Sequence, residues 1–191
     1  MSTTRRAKRS PDDWIDAGTT ALARGGLAAV RVEVLARELG VTKGSFYWHF
    51  DNRNALITAM LEAWEARQTL SIIEQVESTG GDAADRLVEL SRLTDLDSDS
   101  DHEIEIALRE AARRDPTVAA FVRRVDEQRM AYLRRLYTDL GYAPVDAEAR
   151  SLMSYSLLVG DALISAEPVA ASRRELLQAC RRLLFAPPDA S

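Results

Sequence analysis

The chain has 191 residues, 46% of them hydrophobic and 29% charged, with a formal net charge of −5. That size makes one large domain or two small ones, and the balance is that of a folded globular protein. The average hides a split: residues 1–50 carry eight Lys/Arg against five Asp/Glu, and residues 51–191 carry seventeen against twenty-five. A basic head on an acidic body points to a polyanionic partner for the head alone. No apolar run approaches the ~18 residues needed to span a bilayer, so no membrane partner is expected. One cysteine, Cys180, and two histidines, His49 and His102, leave no intramolecular disulfide, no cysteine zinc cluster and no three-histidine site. The basic start, Met1 to Arg9, runs into Ser10-Pro11-Asp12-Asp13 where a signal peptide needs an apolar core, so a reducing, cytoplasmic setting is expected.

Glycines and prolines sit where helices should end, and no stretch alternates with period two, so the predicted class is all-α with about nine helices. Ser10 caps a first helix over about Pro11 to Arg24, which Gly25-Gly26 stops. A second is predicted over Val32 to Leu39, ended by Gly40, and a third over Lys43 to Phe50 with Thr42 as its N-cap. Asp51 or Asn52 caps a long fourth helix from Arg53 to about Glu77, and Gly80-Gly81 ends it. Further helices are predicted over Asp82 to Leu96, His102 to Arg114, Pro116 to about Leu140, Val145 to Glu167 and Ser172 to Phe185. The last residues, 186–191, should fray. The expected domains are a basic arm over 1–10, a helix-turn-helix unit over 11–52, and an effector-binding and dimerisation domain over 53–191.

The most informative stretch is Val32 to Phe50. Helix, Gly40-Val41, helix is a helix-turn-helix pattern. Val34, Leu35 and Leu39 face inward on its first helix, Val41 plugs the turn, and Phe46 and Phe50 face inward on its second. The outward face then carries Thr42, Lys43, Ser45, Tyr47, Trp48 and His49, and Gly44 lacks a side chain where close approach to DNA would need none. The major groove admits one helix whose positive N-terminal end favours phosphate oxygens. Lys43, Tyr47 and His49 are expected to hold the phosphates and set the register, while neighbours read base edges.

Leu35 to Phe50, with the core Gly44-x-x-Tyr47-x-His49-Phe50, resembles the DNA-binding signature of the TetR family of bacterial transcriptional regulators. The motif-bearing resemblance covers about residues 11–65. It implies a homodimeric repressor that binds palindromic, double-stranded operator DNA and is released by a small-molecule effector. It also implies phosphate contacts for Tyr47 and His49, base or phosphate contacts for Thr42, Lys43 and Ser45, and a phosphate contact for Arg53, where lysine is more usual. Arg31 stands where the family prefers a capping Thr or Ser; the cap is expected to be missing, and an added phosphate or groove contact by Arg31 is a hypothesis. Arg5, Arg6, Lys8 and Arg9 could reach a minor groove, or form a solvated tail.

For the effector, the resemblance implies a pocket in the helical body. Its candidate walls are Met60, Trp64, Leu93, Leu108, Phe121, Val125 and Gln128, each of which also suits plain core. For the dimer, the last two helices offer Leu152, Met153, Leu157, Ile164, Leu176, Leu177, Cys180 and Leu184, with Ser156 and Gly160 four apart allowing close helix approach. No cofactor, metal or catalytic group is expected. The acidic run Asp95 to Asp101 lacks the Gly and Glu of an EF-hand loop and reads as a solvated loop. The competing reading is an all-helical protein-interaction module that does not act through DNA.

Overall fold

The structure, a computed structural model, describes residues 9–94, 99–161, 163, 164, 166 and 168–186. Arg5, Arg6, Lys8, Asp95 and the terminal Pro187-Pro188 therefore lie outside the described residues. The described residues form helices and no strand: α1 (Pro11–Gly25), α2 (Val32–Glu38), α3 (Lys43–Phe46), α4 (Arg53–Glu65), α5 (Ser71–Thr79), α6 (Ala83–Leu93), α7 (Asp99–Ala112), α8 (Pro116–Asp139), α9 (Pro144–Asp161) and α10 (Arg173–Phe185). A single π turn, Ala66–Leu70, joins α4 to α5. Taking α4, that turn and α5 as one rod gives the nine predicted helices.

Tertiary packing divides the chain into two units. One takes the chain through Arg67 and resumes at α7 as far as Val122; the other takes the rest. The first unit is built around Trp14, Val30, Leu35, Phe46 and Leu56, all fully buried, with α1 packed on α4 and α7. Gly18 makes that closeness possible: a Cβ built there would meet the Met60 sulfur at 2.6 Å. The second unit is built around Val76, Leu87, Leu136, Tyr137 and Ala147.

Local chemistry fixes the helix ends. Ser10 and Asp13 form a capping box, with Asp13 N–H donating to Ser10 Oγ at 3.2 Å and Ser10 N–H donating to Asp13 Oδ2 at 2.7 Å. Gly40, at φ +69°, turns the chain out of α2: its N–H donates to Arg37 C=O at 3.1 Å and the Val41 N–H reaches back to Ala36 C=O at 2.9 Å. That pair of bonds is the left-handed helix stop that glycine permits without strain. Arg9 Nε donates to the Leu39 carbonyl at 3.1 Å, so Arg9 belongs to the fold of the turn and not to a free arm.

The π turn has a visible support. Its register shift frees backbone carbonyls, and Arg129 from α8 donates to Gln68 C=O at 3.2 Å and to the buried Thr69 hydroxyl at 2.9 Å. Tyr155 from α9 stands beside the same guanidinium and donates to Asp126 at 2.6 Å.

Three boundaries differ from the sequence reading. The regular part of α3 ends at Phe46, and a turn carries the chain through His49, so the predicted helix to Phe50 is half as long. Helix α7 begins at Asp99, so Asp99 to Asp101 are helical and not loop. Helix α9 ends at Asp161 and not at Glu167, because Arg173 binds the Asp161 carbonyl at 2.5 Å and its carboxylate at 2.9 Å. A cation on the last carbonyls of a helix favours termination there. Ile164 consequently lies past the helix end. The predicted Glu105–Arg109 and Glu110–Arg114 surface pairs form at 2.7 and 3.1 Å.

Candidate nucleic-acid interface

The α2–turn–α3 segment presents one face to the core and one to solvent. Phe46 is buried with its edge to Trp14 at 5.2 Å and Phe50 stacked on it at 5.5 Å. Those aromatic contacts fix the roll of α3. Thr42, Lys43 and Gly44 then stand exposed, Ser45 is half-buried, Tyr47 is 54% exposed and Trp48 is 82% exposed. An indole that open has no packing role within the chain.

Four side chains sit differently from the sequence expectation. Thr42 has N-cap backbone angles, but its hydroxyl makes no capping bond. His49, expected on the outward face, is half-buried, and its Nε2 is shielded from solvent with no hydrogen bond among the described residues. It turns inward because the regular helix has already ended and its N–H closes back onto Phe46 C=O. Arg53, expected at a phosphate, is held by the chain itself: Nε donates to Val30 C=O at 2.6 Å, and a second nitrogen donates to Leu27 C=O. Its planar fork spans the Val30 and Leu27 carbonyls of the turn before α2 with a fixed geometry that a lysine lacks. Lys43, expected to be free for phosphate, is paired with Glu33 of α2 at 2.5 Å. That hydrogen bond holds the Glu33 carboxyl below its usual range and lifts the Lys43 ammonium above its own. Arg31 is exposed, and its side chain makes no cap bond to α2, as its chemistry dictates.

Gly44 separates fold from function. It is exposed, has an ordinary helical backbone, and a Cβ there would meet only Thr42 Oγ1 at 3.7 Å. Nothing inside the chain requires glycine. Gly44→Ala is therefore expected to raise thermal stability by up to ~1 kcal/mol, the usual helix gain over glycine. It is also expected to weaken duplex binding where the backbone must approach closely. Melting curves and duplex titrations of one preparation check both halves.

The candidate effector walls divide between the two units. Met60, Trp64 and Leu108 line a small apolar cavity in the first unit, with Thr19, Leu22 and Ile104. Thr19 Oγ1 is buried there with no hydrogen bond among the described residues. Phe121 packs its ring 6.1 Å from Trp64 in the same unit. Leu93, Val125 and Gln128 belong to the second unit, Leu93 and Gln128 half-buried and Val125 buried. Thr19 was missed because a single threonine on α1 gives no sequence signal of a cavity.

The proposed dimer residues lie on α9 and α10. Leu152, Met153, Ser156 and Leu176 are exposed, and Leu157, Gly160, Leu177, Cys180 and Leu184 are half-buried. Ile164 is exposed beyond the helix end. The end of α10 is pinned to α9 and to the turn before it: Arg150 of α9 donates to Leu184 C=O at 2.6 Å, and Tyr142 donates to Ala186 C=O. A Cβ on Gly160 would meet nothing within 4 Å, so the chain's own packing does not call for glycine there.

The helix-turn-helix segment resembles known proteins. Residues 15–60 match the family described as bacterial regulatory proteins, tetR family. This segment carries the TetR-family signature. It is also 33% identical over 61 residues to the HTH-type transcriptional regulator TtgR of Pseudomonas putida, a match that covers 32% of this chain. The chain spans about three-tenths of that relative, 29% of its length. A Pseudomonas putida protein named as the probable regulator ArpR matches to the same extent. The likeness of fold extends further along the chain than the sequence match. The reduced form of Escherichia coli NemR shares the fold at a TM-score of 0.74, with 18% identity and coverage of 93% of this chain and 98% of that one. AibR, solved with isovaleryl coenzyme A and operator DNA, shares it at 0.72, with 16% identity and the same coverages. No helix among the described residues is long and apolar enough to cross a membrane.

Proposed function

We propose that this chain is a transcriptional repressor that binds a palindromic operator as a homodimer and leaves it when a small molecule binds. The observation that carries the reading is the exposed row from Thr42 to Trp48, held outward by the buried Phe46 behind it. A one-turn helix whose outer face carries a bare glycine and two open aromatic rings fits a groove. The exposed apolar stripe of α9 and α10 supports pairing with a second copy, since isolated chains rarely leave such a surface to water. Pairing places two recognition helices on one duplex, about one helical turn or ~34–36 Å apart, or a multiple of it.

The cavity beside Met60, Trp64 and Leu108 supports the effector half. It is apolar with one hydroxyl that has no hydrogen bond among the described residues, and it has room for about one water, so an effector would enter by parting the residues that line it. It touches α1 and α4, which carry the helix-turn-helix, so occupancy there would alter operator fit. A solved protein of the same fold, AibR, holds a small molecule and operator DNA together. Coupling of this kind is reciprocal, typically ~1–3 kcal/mol in each direction.

The test is selection of duplexes from a randomised pool by the intact chain. Recovery of an inverted repeat with half-sites a whole number of turns apart supports the reading. Retention of no duplex at low salt contradicts it and favours a protein-contact module.

A further inference from the structure

The basic excess of the amino-terminal fifty residues does not reside in the helix-turn-helix. Arg5, Arg6 and Lys8 account for all of it. Residues 9–53 hold six basic side chains (Arg9, Arg24, Arg31, Arg37, Lys43, Arg53) against six acidic ones (Asp12, Asp13, Asp16, Glu33, Glu38, Asp51). The surface meant for a polyanion is electrically neutral. Three of the six cations are also committed: Arg9 to the Leu39 carbonyl and Asp13, Arg53 to two backbone carbonyls, and Lys43 to Glu33.

The last of these commitments differs in kind. Backbone carbonyls carry no net charge, so Arg9 and Arg53 keep much of their field. Glu33 cancels Lys43 outright, at 2.5 Å, on the solvent side of the α2–α3 corner. Both side chains are more than half exposed, so the pair is open to an approaching phosphate. Glu33 also sits in the first turn of α2, where the positive helix end favours its ionised form.

We propose that Glu33 is an electrostatic brake on duplex binding: it occupies Lys43 and presents a carboxylate where the phosphate backbone must come. This rests on the reading of residues 42–48 as a DNA-contacting face. To reach a phosphate, Lys43 must leave Glu33, and the carboxylate left behind faces the duplex. Every duplex meets that cost, cognate or not. Neutral protein therefore relies on base contacts for retention, and unrelated DNA, which offers none, is held weakly.

The test compares the full chain with Glu33→Gln and Glu38→Gln on an unrelated duplex and on a selected operator duplex. Glutamine keeps the shape of Glu33 and removes its charge. Glu33→Gln is expected to bind both duplexes more tightly, with the slope of log K against log salt steeper by about one unit. Its advantage should then shrink about fourfold from about 50 to about 200 mM salt. Glu38 is an exposed acid on the same helix that, among the described residues, bonds to none of the face cations, and its variant should change the slope less. Adding Lys43→Ala to Glu33→Gln should return the slope to that of the parent. An unchanged or weaker affinity for Glu33→Gln overturns the proposal, and so does an equal gain from Glu38→Gln, which would make net charge alone the cause. A parent chain that holds no duplex at low salt removes the DNA-binding reading and this inference with it. A parent that binds while Glu33→Gln does nothing removes this inference alone.

Discussion

Phe46→Ala is expected to destabilise the chain by about 3–5 kcal/mol, the usual cost of emptying a buried phenylalanine site. The side chain is fully buried and holds three aromatic neighbours: Trp14, Phe50 and, edge-on, Tyr47 at 5.3 Å. The space left behind cannot close easily, because Trp14 comes from α1 and Phe50 from the turn after α3. Duplex binding should fall further than stability alone dictates. Loss of the ring removes what fixes the roll of α3, so Thr42, Lys43 and Tyr47 no longer converge on one face even in molecules that remain folded. Denaturant melts and duplex titrations at low temperature separate the two effects. Phe46→Leu, which refills most of the volume, should recover most of the stability.

The second large effect belongs to α9 and α10. Leu152 and Leu176 are 58% and 47% exposed in the single chain, so placing glutamates there should cost the fold of one chain little, within about 0.5 kcal/mol each. In a dimer that buries them, two charges per chain at the seam are unaffordable without partners. Leu152→Glu with Leu176→Glu is expected to halve the mass seen in sedimentation. Affinity for a two-half-site operator should drop by ~100-fold or more, since linking two reading heads raises the effective concentration of the second. Affinity for a single half-site should stay the same. A variant that remains dimeric, or a parent that is already monomeric, would place the interface elsewhere.

Much of this was legible in the sequence because it depends on neighbours a few residues apart. Ser10 with Asp13, Gly40 with its helix stop, and Phe46 with Phe50 are local patterns, and each formed as its spacing implies. What was not legible depends on pairs far apart in the chain. Arg53 looks like a phosphate contact until the Leu27 and Val30 carbonyls, more than twenty residues away, are found beneath it. Lys43 looks free until the crossing of α2 and α3 brings Glu33 to it. Ala66 to Leu70 contains neither glycine nor proline, so nothing local announces a π turn; its support, Arg129, lies about sixty residues on. The division of the candidate effector walls between the two units was hidden for the same reason. Apolar residues at helical spacing mark a buried face, not which unit that face belongs to.

Tyr132 illustrates how an ordinary structural site can mimic a functional one. Burial and a hydrogen bond to Glu77 push its phenol well above the usual range, while Arg135 lies over its ring at 5.0 Å. Arg86 and Arg135 both pair with that carboxylate, so the cluster ties α5, α6 and α8 together and closes on itself.

Tryptophan fluorescence tests the central claim directly, because the chain's three indoles differ sharply in exposure: Trp48 is 82% exposed, Trp14 is fully buried and Trp64 is 4% exposed. Acrylamide should quench one open indole in the free protein, and Trp48→Phe should abolish that component. With a saturating selected duplex, the outward face of α3 enters the groove, and the open component should become protected. Bound duplex with the Trp48 emission still freely quenched would mean that DNA is held by some other surface, and that the row from Thr42 to Trp48 does not read it.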